Sequence, residues 1–241
     1  MQAQAASQDT WIAGLARFAH GFRLSDASPT VREQAKLAVL DTIGCILAGA
    51  GDADVEKLAT AERAIDPREE VWVPGLRQRF APEAAARISA YMGDLFEWND
   101  LIGGHASIAC LPAVLSLIGR QKPGGTELLE AYIVGAEITA AIYEATSVEP
   151  NAGSTVNYRK PYDEVSVGPV SVPSSIGAAA SASRMLGLTE AQTRHAMAAS
   201  VVLAAYSAAE GVFGAAGSIK PLLFGPWPAF IGMRSAFYAQ A

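Results

Sequence analysis

Between Ser89 and Arg120 the chain reads SAYMGDLFEWNDLIGGHASIACLPAVLSLIGR: two apolar, Ala-rich segments of helical character, interrupted by Glu97-Trp98-Asn99-Asp100-Leu101-Ile102-Gly103-Gly104-His105. This interruption constrains the fold more than any other feature. Packed helices break for two carboxylates, an amide and an imidazole when something polar must be lined up there. The glycine pair supplies the backbone freedom to turn between the helices. The reading is a helix–helix junction that exposes Asp100 and His105 together.

The rest of the chain is written in the same style, apolar residues at helical spacing separated by Gly, Pro and polar breaks, which predicts an all-α, multi-helix bundle. A first helix over 8–22 carries His20 near its end, where the helix dipole favours a cation. Ser28 with Pro29 opens a second helix through about Ala48, with a core stripe of Val31, Ala35, Ala38, Val39, Ile43, Ile46 and Leu47. Asp41 beside that stripe reads as a structural hydrogen-bonder. A weaker helix over 54–64 leads to a loop in which VWVPG has β character, and Pro82 opens the helix that enters the junction. Beyond it lie an apolar helix over 108–118 and, capped by Thr126, a helix over 127–145. The latter is apolar nearly all round apart from Glu137, expected as a paired, buried carboxylate. A small-residue helix over 176–186 permits close packing. Thr189 and Gln192 form a capping box for a helix over 190–210, on whose surface His195 should lie.

Composition narrows the classes. Only 17% of the 241 residues are charged, the net charge is −6 and no basic stripe gathers the 18 Lys and Arg, which argues against a nucleic-acid surface. Cys45 and Cys110, both in apolar helical context, read as reduced, buried thiols of a cytoplasmic protein with no metal spacing. No secretory leader is visible, and the most apolar stretches are too short or too interrupted to span a bilayer, so a soluble protein without membrane contact is expected. The domain reading is one helical unit, 1–241, with a long irregular loop at about 147–175.

Two further places draw attention. The loop, VEPNAGSTVNYRKPYDEVSVGPVSVPSS, is long for a compact domain, and such loops are usually functional. Tyr158, Arg159 and Tyr162 within it, with Asn99 of the junction, are candidates for holding substrate. Lys220 stands alone in an apolar, Gly-rich passage, where an ammonium needs an anionic partner or has its pKa depressed.

Several stretches together resemble the MmgE/PrpD family of 2-methylcitrate dehydratase and cis-aconitate decarboxylase-like proteins. They are VREQAKLAVLDTIGCILAGA, the junction with HASIACLPAVLSLIG, GTELLEAYIVGAEI, GAAASASRMLGLTEAQTRHAMAAS and GSIKPLLFG. The resemblance implies a large helical domain, a smaller α+β lid domain and dimerisation. It also implies action on small carboxylic acids with neither a metal nor an organic cofactor. This chain matches the helical domain only, so the lid is expected to be absent or on another chain. Against the family pattern D-F-D-D-T then H-P, Glu97 stands at the first acid, Asn99 at the next, and Asp100 and His105 are retained. Leu101 replaces the Thr, and Ala106 follows the His. The family's second His-Pro aligns with Gly168-Pro169. The family lysine is kept as Lys220, with Leu223 where a His would follow.

These residues suit a proton transfer at carbon next to a carbonyl. His105 has the pKa of a base or acid near neutrality, Lys220 could hold a developing anion, and Glu97 or Asp100 could orient the imidazole. The expectation is a cofactor-independent lyase or isomerase acting by His/Lys acid–base chemistry on a small or medium organic substrate, less acidic than a tricarboxylate. A biosynthetic-pathway intermediate would suit. The alternative is a non-catalytic or half-enzyme subunit that needs a partner chain for the lid, expected to show an exposed apolar patch around 224–237. Partners are accordingly a small molecule and either a second copy or a lid-bearing chain.

Overall fold

The computed structural model describes residues 10–100, 105–146, 171–204 and 224–241. The bundle is built from α1 (Trp11–Gly21), α2 (Pro29–Gly49), α3 (Ala53–Ile65), α4 (Pro82–Asp94), α5 (Ala106–Leu115), the short α6 (Ile118–Gln121), α7 (Gly125–Thr146), α8 (Ser171–Met185), α9 (Glu190–Leu203) and α10 (Pro226–Gln240). The only strands among the described residues are β1 (Val71–Trp72) and β2 (Arg79–Phe80), antiparallel with Val71 opposite Phe80. The class is all-α, as the periodicity indicates.

The caps act as their residue types require. Ser28 Oγ accepts from the Val31 N–H at 3.2 Å with Pro29 in the first turn of α2. Thr189 and Gln192 form the reciprocal capping box of α9.

Helix α8 is the hub. It packs against α5, α7, α9 and α10, and nearly every residue in it is buried. The approach to α7 is possible because Gly135 faces Gly177. A Cβ on Gly135 would overlap Ser181 Oγ, and one on Gly177 would overlap Thr139 Oγ1. Close packing of that kind transmits position faithfully, since a core filled to crystal density has few alternative arrangements. Cys110 sits at the same crossing, and burial pushes its thiol up to about 12. Cys45 and Cys110 are both free and buried.

Several expectations need correction. Helix α8 begins at Ser171, five residues before the sequence reading placed it, because Pro173 occupies a first-turn position that needs no N–H donor. Ser175 Oγ bonds back to the Ser171 carbonyl at 2.7 Å and helps close that turn. Glu137 is exposed: α7 turns its Ala131, Val134 and Ile138 face inward and leaves Glu137 on the other. Val31 and Leu47 of the α2 stripe are exposed too, whereas Ala35 and Ile46 are buried. Asp41, beside that stripe, is exposed. The apolar patch expected at 224–237 is largely packed away, with Phe224, Ala229, Ile231, Met233 and Ala236 all buried against the bundle. His20 and His195 are exposed, as expected.

Candidate active site

The junction is built by the end of α4, the start of α5 and the start of α10. Helix α4 carries its last residue, Asp94, into the interior at 1% exposure. The chain then turns at Glu97, which takes the left-handed conformation (φ +55°). His105, immediately before α5, is left-handed as well (φ +66°). A non-glycine residue held there costs of order 1–3 kcal/mol, and such strain clusters at functional sites because the surrounding structure must enforce it. Here the enforcement is a set of side-chain bonds.

Asn99 Nδ2 donates to Asp94 Oδ1 at 2.9 Å, and Asn99 Oδ1 lies 2.8 Å from His105 Nδ1. Asp94 Oδ1 is itself 4.0 Å from Nδ1. A carboxylate only accepts, so it orients the Asn99 amide with its NH2 inward and its oxygen toward the imidazole. The oxygen in turn accepts only, so Nδ1 must carry a proton. In the neutral ring the lone pair is then on Nε2. His105 is 8% exposed, and its ring stacks on Phe224, centroids 5.1 Å apart and planes 23° from parallel.

A second buried chain begins two residues later. Ser107 Oγ donates to Asp100 Oδ2 at 2.5 Å and lies 2.6 Å from Tyr132 Oη on α7. With the Ser107 proton directed at the carboxylate, Tyr132 donates to Ser107. Asp100 Oδ1 is buried and has no hydrogen-bond partner among the described residues. Burial raises the Asp100 carboxyl above the ordinary range; the Ser107 bond opposes this, and the like charge of Asp41 adds to it. Burial likewise raises the Tyr132 phenol.

Of the residues singled out from the sequence, the structure thus brings His105, Asn99 and Asp100 to one helix junction. Glu97 is an exposed turn residue, and the group set on His105 Nδ1 is Asn99, backed by Asp94, rather than Glu97 or Asp100. Lys220, Tyr158, Arg159 and Tyr162 lie outside the described residues, as do Leu101, Gly168, Pro169 and Leu223. The sequence reading missed Asp94, Ser107, Tyr132 and Phe224. Asp94 carried a signal, a lone carboxylate inside the apolar run AYMGDLF; Tyr132 in an apolar helix carried none. Among the described residues no three His, Cys, Asp or Glu side chains gather in a way that could hold a metal ion.

A hollow of about 520 Å³ lies elsewhere, between the ends of α1 and α8 and the start of α7. Two of its cations, Arg184 and Arg23, are engaged in structure. Arg184 binds Glu130 at 2.7 Å and the Phe22 carbonyl at 2.6 Å, and Arg23 Nη1 donates to the His20, Gly21 and Phe22 carbonyls. These bonds satisfy the unpaired carbonyls at the end of α1. His105, Asn99, Asp94 and Asp100 are instead at the α4–α5 junction.

The described residues form an all-helical domain with a histidine, carboxylates and hydroxyls ordered at one helix start. The chain matches the MmgE/PrpD N-terminal domain over residues 13–241 and belongs to the MmgE/PrpD family. It is similar to cis-aconitate decarboxylase of Mus musculus, 26% identical over 231 residues, which is 92% of this chain and 43% of the relative. The chain therefore spans less than half the length of that curated relative. No described helix is long and apolar enough to cross a membrane.

Proposed function

We propose that the chain contributes the acid–base half of a lyase-type or isomerase-type active site acting on a small or medium organic substrate, with no cofactor. His105 removes or returns a proton at carbon next to a carbonyl through Nε2, while Asn99 holds its other nitrogen. Asp100, with one oxygen uncommitted among the described residues, is the second proton-handling group. Lys220 is assigned the developing anion, and Tyr158, Arg159 and Tyr162 the remainder of the substrate. The observation that carries the reading is the Asn99–His105 bond, which places a proton on Nδ1, so that the neutral form of the ring has its lone pair on Nε2. General acid–base catalysis of this kind contributes about 10²–10⁴-fold.

The charge around Asp100 supports a substrate less acidic than a tricarboxylate. Burial, and to a smaller degree the charge of Asp41, already disfavours the Asp100 anion, and further anionic groups would add to that. The relative's name, a decarboxylase of cis-aconitate, fits the reaction class, since loss of carbon dioxide and loss of water both pass through carbanion-like states.

The test is solvent-deuterium incorporation into a panel of carboxylic acids and neutral carbonyl compounds, read by mass spectrometry. Label entering one compound with the wild type and not with His105→Ala is the expected result. Equal labelling by both proteins would remove His105 from the mechanism.

A second reading is a subunit that reacts only with a lid-bearing partner. Phe96 and Trp98, stacked at 4.9 Å and 44% and 68% exposed beside the junction, are the surface on which such a lid would rest. Exchange that appears only when a partner chain is added would favour it.

A further inference from the structure

We infer that Asp94 is a positioning residue: through the Asn99 amide it fixes His105 in the tautomer protonated on Nδ1. This reassigns Asn99, which the sequence reading gave to substrate, to a relay between two side chains of the same junction.

The geometry leaves little latitude. The relay uses two bonds of ordinary length, 2.9 Å from Asn99 Nδ2 to Asp94 Oδ1 and 2.8 Å from Asn99 Oδ1 to His105 Nδ1. All three side chains are buried, so water does not compete freely for either bond. An isolated asparagine could meet Nδ1 with either end of its amide, and each end selects the opposite tautomer. A group that only accepts, placed behind it, removes that choice. Asp94 is such an acceptor, and its position at the last residue of α4 fixes it to a helix that packs against α2, α5 and α10. The Phe224 ring stacked on the imidazole holds the plane of the ring but is indifferent to which nitrogen bears the proton. The Asp94–Asn99 bond therefore directs the proton of the ring to Nδ1.

The inference rests on the acid–base reading only for its use, since a base needs its lone pair on Nε2. The tautomer itself is a property of the free protein. The experiment replaces the two exposed histidines (His20→Gln, His195→Gln), leaving His105 as the sole imidazole, and labels it with ¹⁵N. Two-bond ¹H–¹⁵N correlation well above the imidazole titration then identifies the protonated nitrogen. The wild-type background is expected to show Nδ1–H. Asp94→Asn lets the amide of residue 99 turn over, and loss of a charge-backed hydrogen bond should move the tautomer ratio toward Nε2–H by about tenfold or more. Asn99→Leu, which keeps Asp94 but removes the relay, should move the ratio in the same direction, and it decides the matter should Asp94→Asn fail to fold.

An Nε2–H imidazole in the background protein, or an unchanged ratio in the variants that fold, would overturn the inference. The outcome is separable from the proposed function. Nδ1–H with no deuterium exchange on any compound leaves the relay standing and the catalytic reading without support. Exchange that depends on His105 with an Nε2–H ring does the reverse.

Discussion

The ring of His105 rests on the ring of Phe224, with centroids 5.1 Å apart and planes within 23° of parallel. One residue comes from the junction before α5 and the other from just before α10, so a contact between distant parts of the chain fixes the plane of the candidate base. Removing the face of that stack should free the ring. Phe224→Ala is expected to cost about 3–5 kcal/mol, the usual range for a buried phenylalanine. Phe224→Leu, closer in volume, should cost less. In both variants the ring-current shift of the His105 protons should vanish, as ¹H NMR would show. Retention of that shift in Phe224→Leu would mean that the stack does not place the imidazole.

Asp100 makes a pH-dependent contribution to stability. Burial raises its carboxyl above the ordinary carboxylate range, so the fold prefers the protonated acid. For a group raised in this direction, the stabilising contribution is present below the unfolded pKa and is lost as pH rises through the folded one. Asp100→Asn should remove that loss while still accepting the Ser107 proton. Urea denaturation at pH 4 and pH 7 is expected to show the variant gaining on the wild type at the higher pH. A gain confined to the lower pH would reverse the sign and refute the assignment.

Ser107 joins Asp100 to Tyr132, and its hydroxyl is what allows two buried polar groups to coexist. Ser107→Ala leaves a buried carboxylate oxygen and a buried phenol without that link. Each unsatisfied group costs about 1–3 kcal/mol. Tyr132→Phe removes one of the orphans, so the double variant should be more stable than the sum of the single losses. A double-mutant cycle measures this coupling, expected at about 0.5–3 kcal/mol. Additive losses would mean the hydroxyls do not act as a chain.

The helices and their caps were legible because they obey local rules. Ser28-Pro29 and Thr189 with Gln192 each carry their geometry in a few adjacent residues. The junction was legible as a place, since polar residues and glycines interrupt an apolar run. Its internal bonding was not. Asp94 and Asn99 are five residues apart and meet only because the chain reverses at Glu97, a left-handed turn that a glutamate does not announce. Tyr132 reaches Ser107 from another helix across 25 residues of sequence, and Phe224 reaches His105 from farther still. Contacts of that kind are set by packing, which periodicity describes only as a face. The same limit explains Glu137: an apolar helix reads as buried all round until its partners are known, and α7 meets α5 and α8 on one side.

The α7–α8 crossing is the feature on which that packing depends, and it gives the most direct test of the fold. At Gly135 a methyl group would run into Ser181 Oγ, with Cys110 Sγ and the Gly177 carbonyl oxygen both 2.8 Å away. Two of these neighbours are side chains, but the third is backbone of the hub helix and cannot rotate aside. Gly135→Ala must therefore separate the helices or bend one of them, and overpacking of a closed core costs about 1–3 kcal/mol. Against this stands the helix propensity of alanine, worth about 0.8–1 kcal/mol over glycine, so the sign of the net effect measures how closed the crossing is. A net loss of stability by thermal and urea denaturation is expected. Gly44 on α2, where a Cβ meets nothing within 4 Å, is the internal comparison: Gly44→Ala should stabilise by about that propensity difference. If both substitutions stabilised equally, α7 and α8 would not be in the close contact that sets Tyr132 against Ser107.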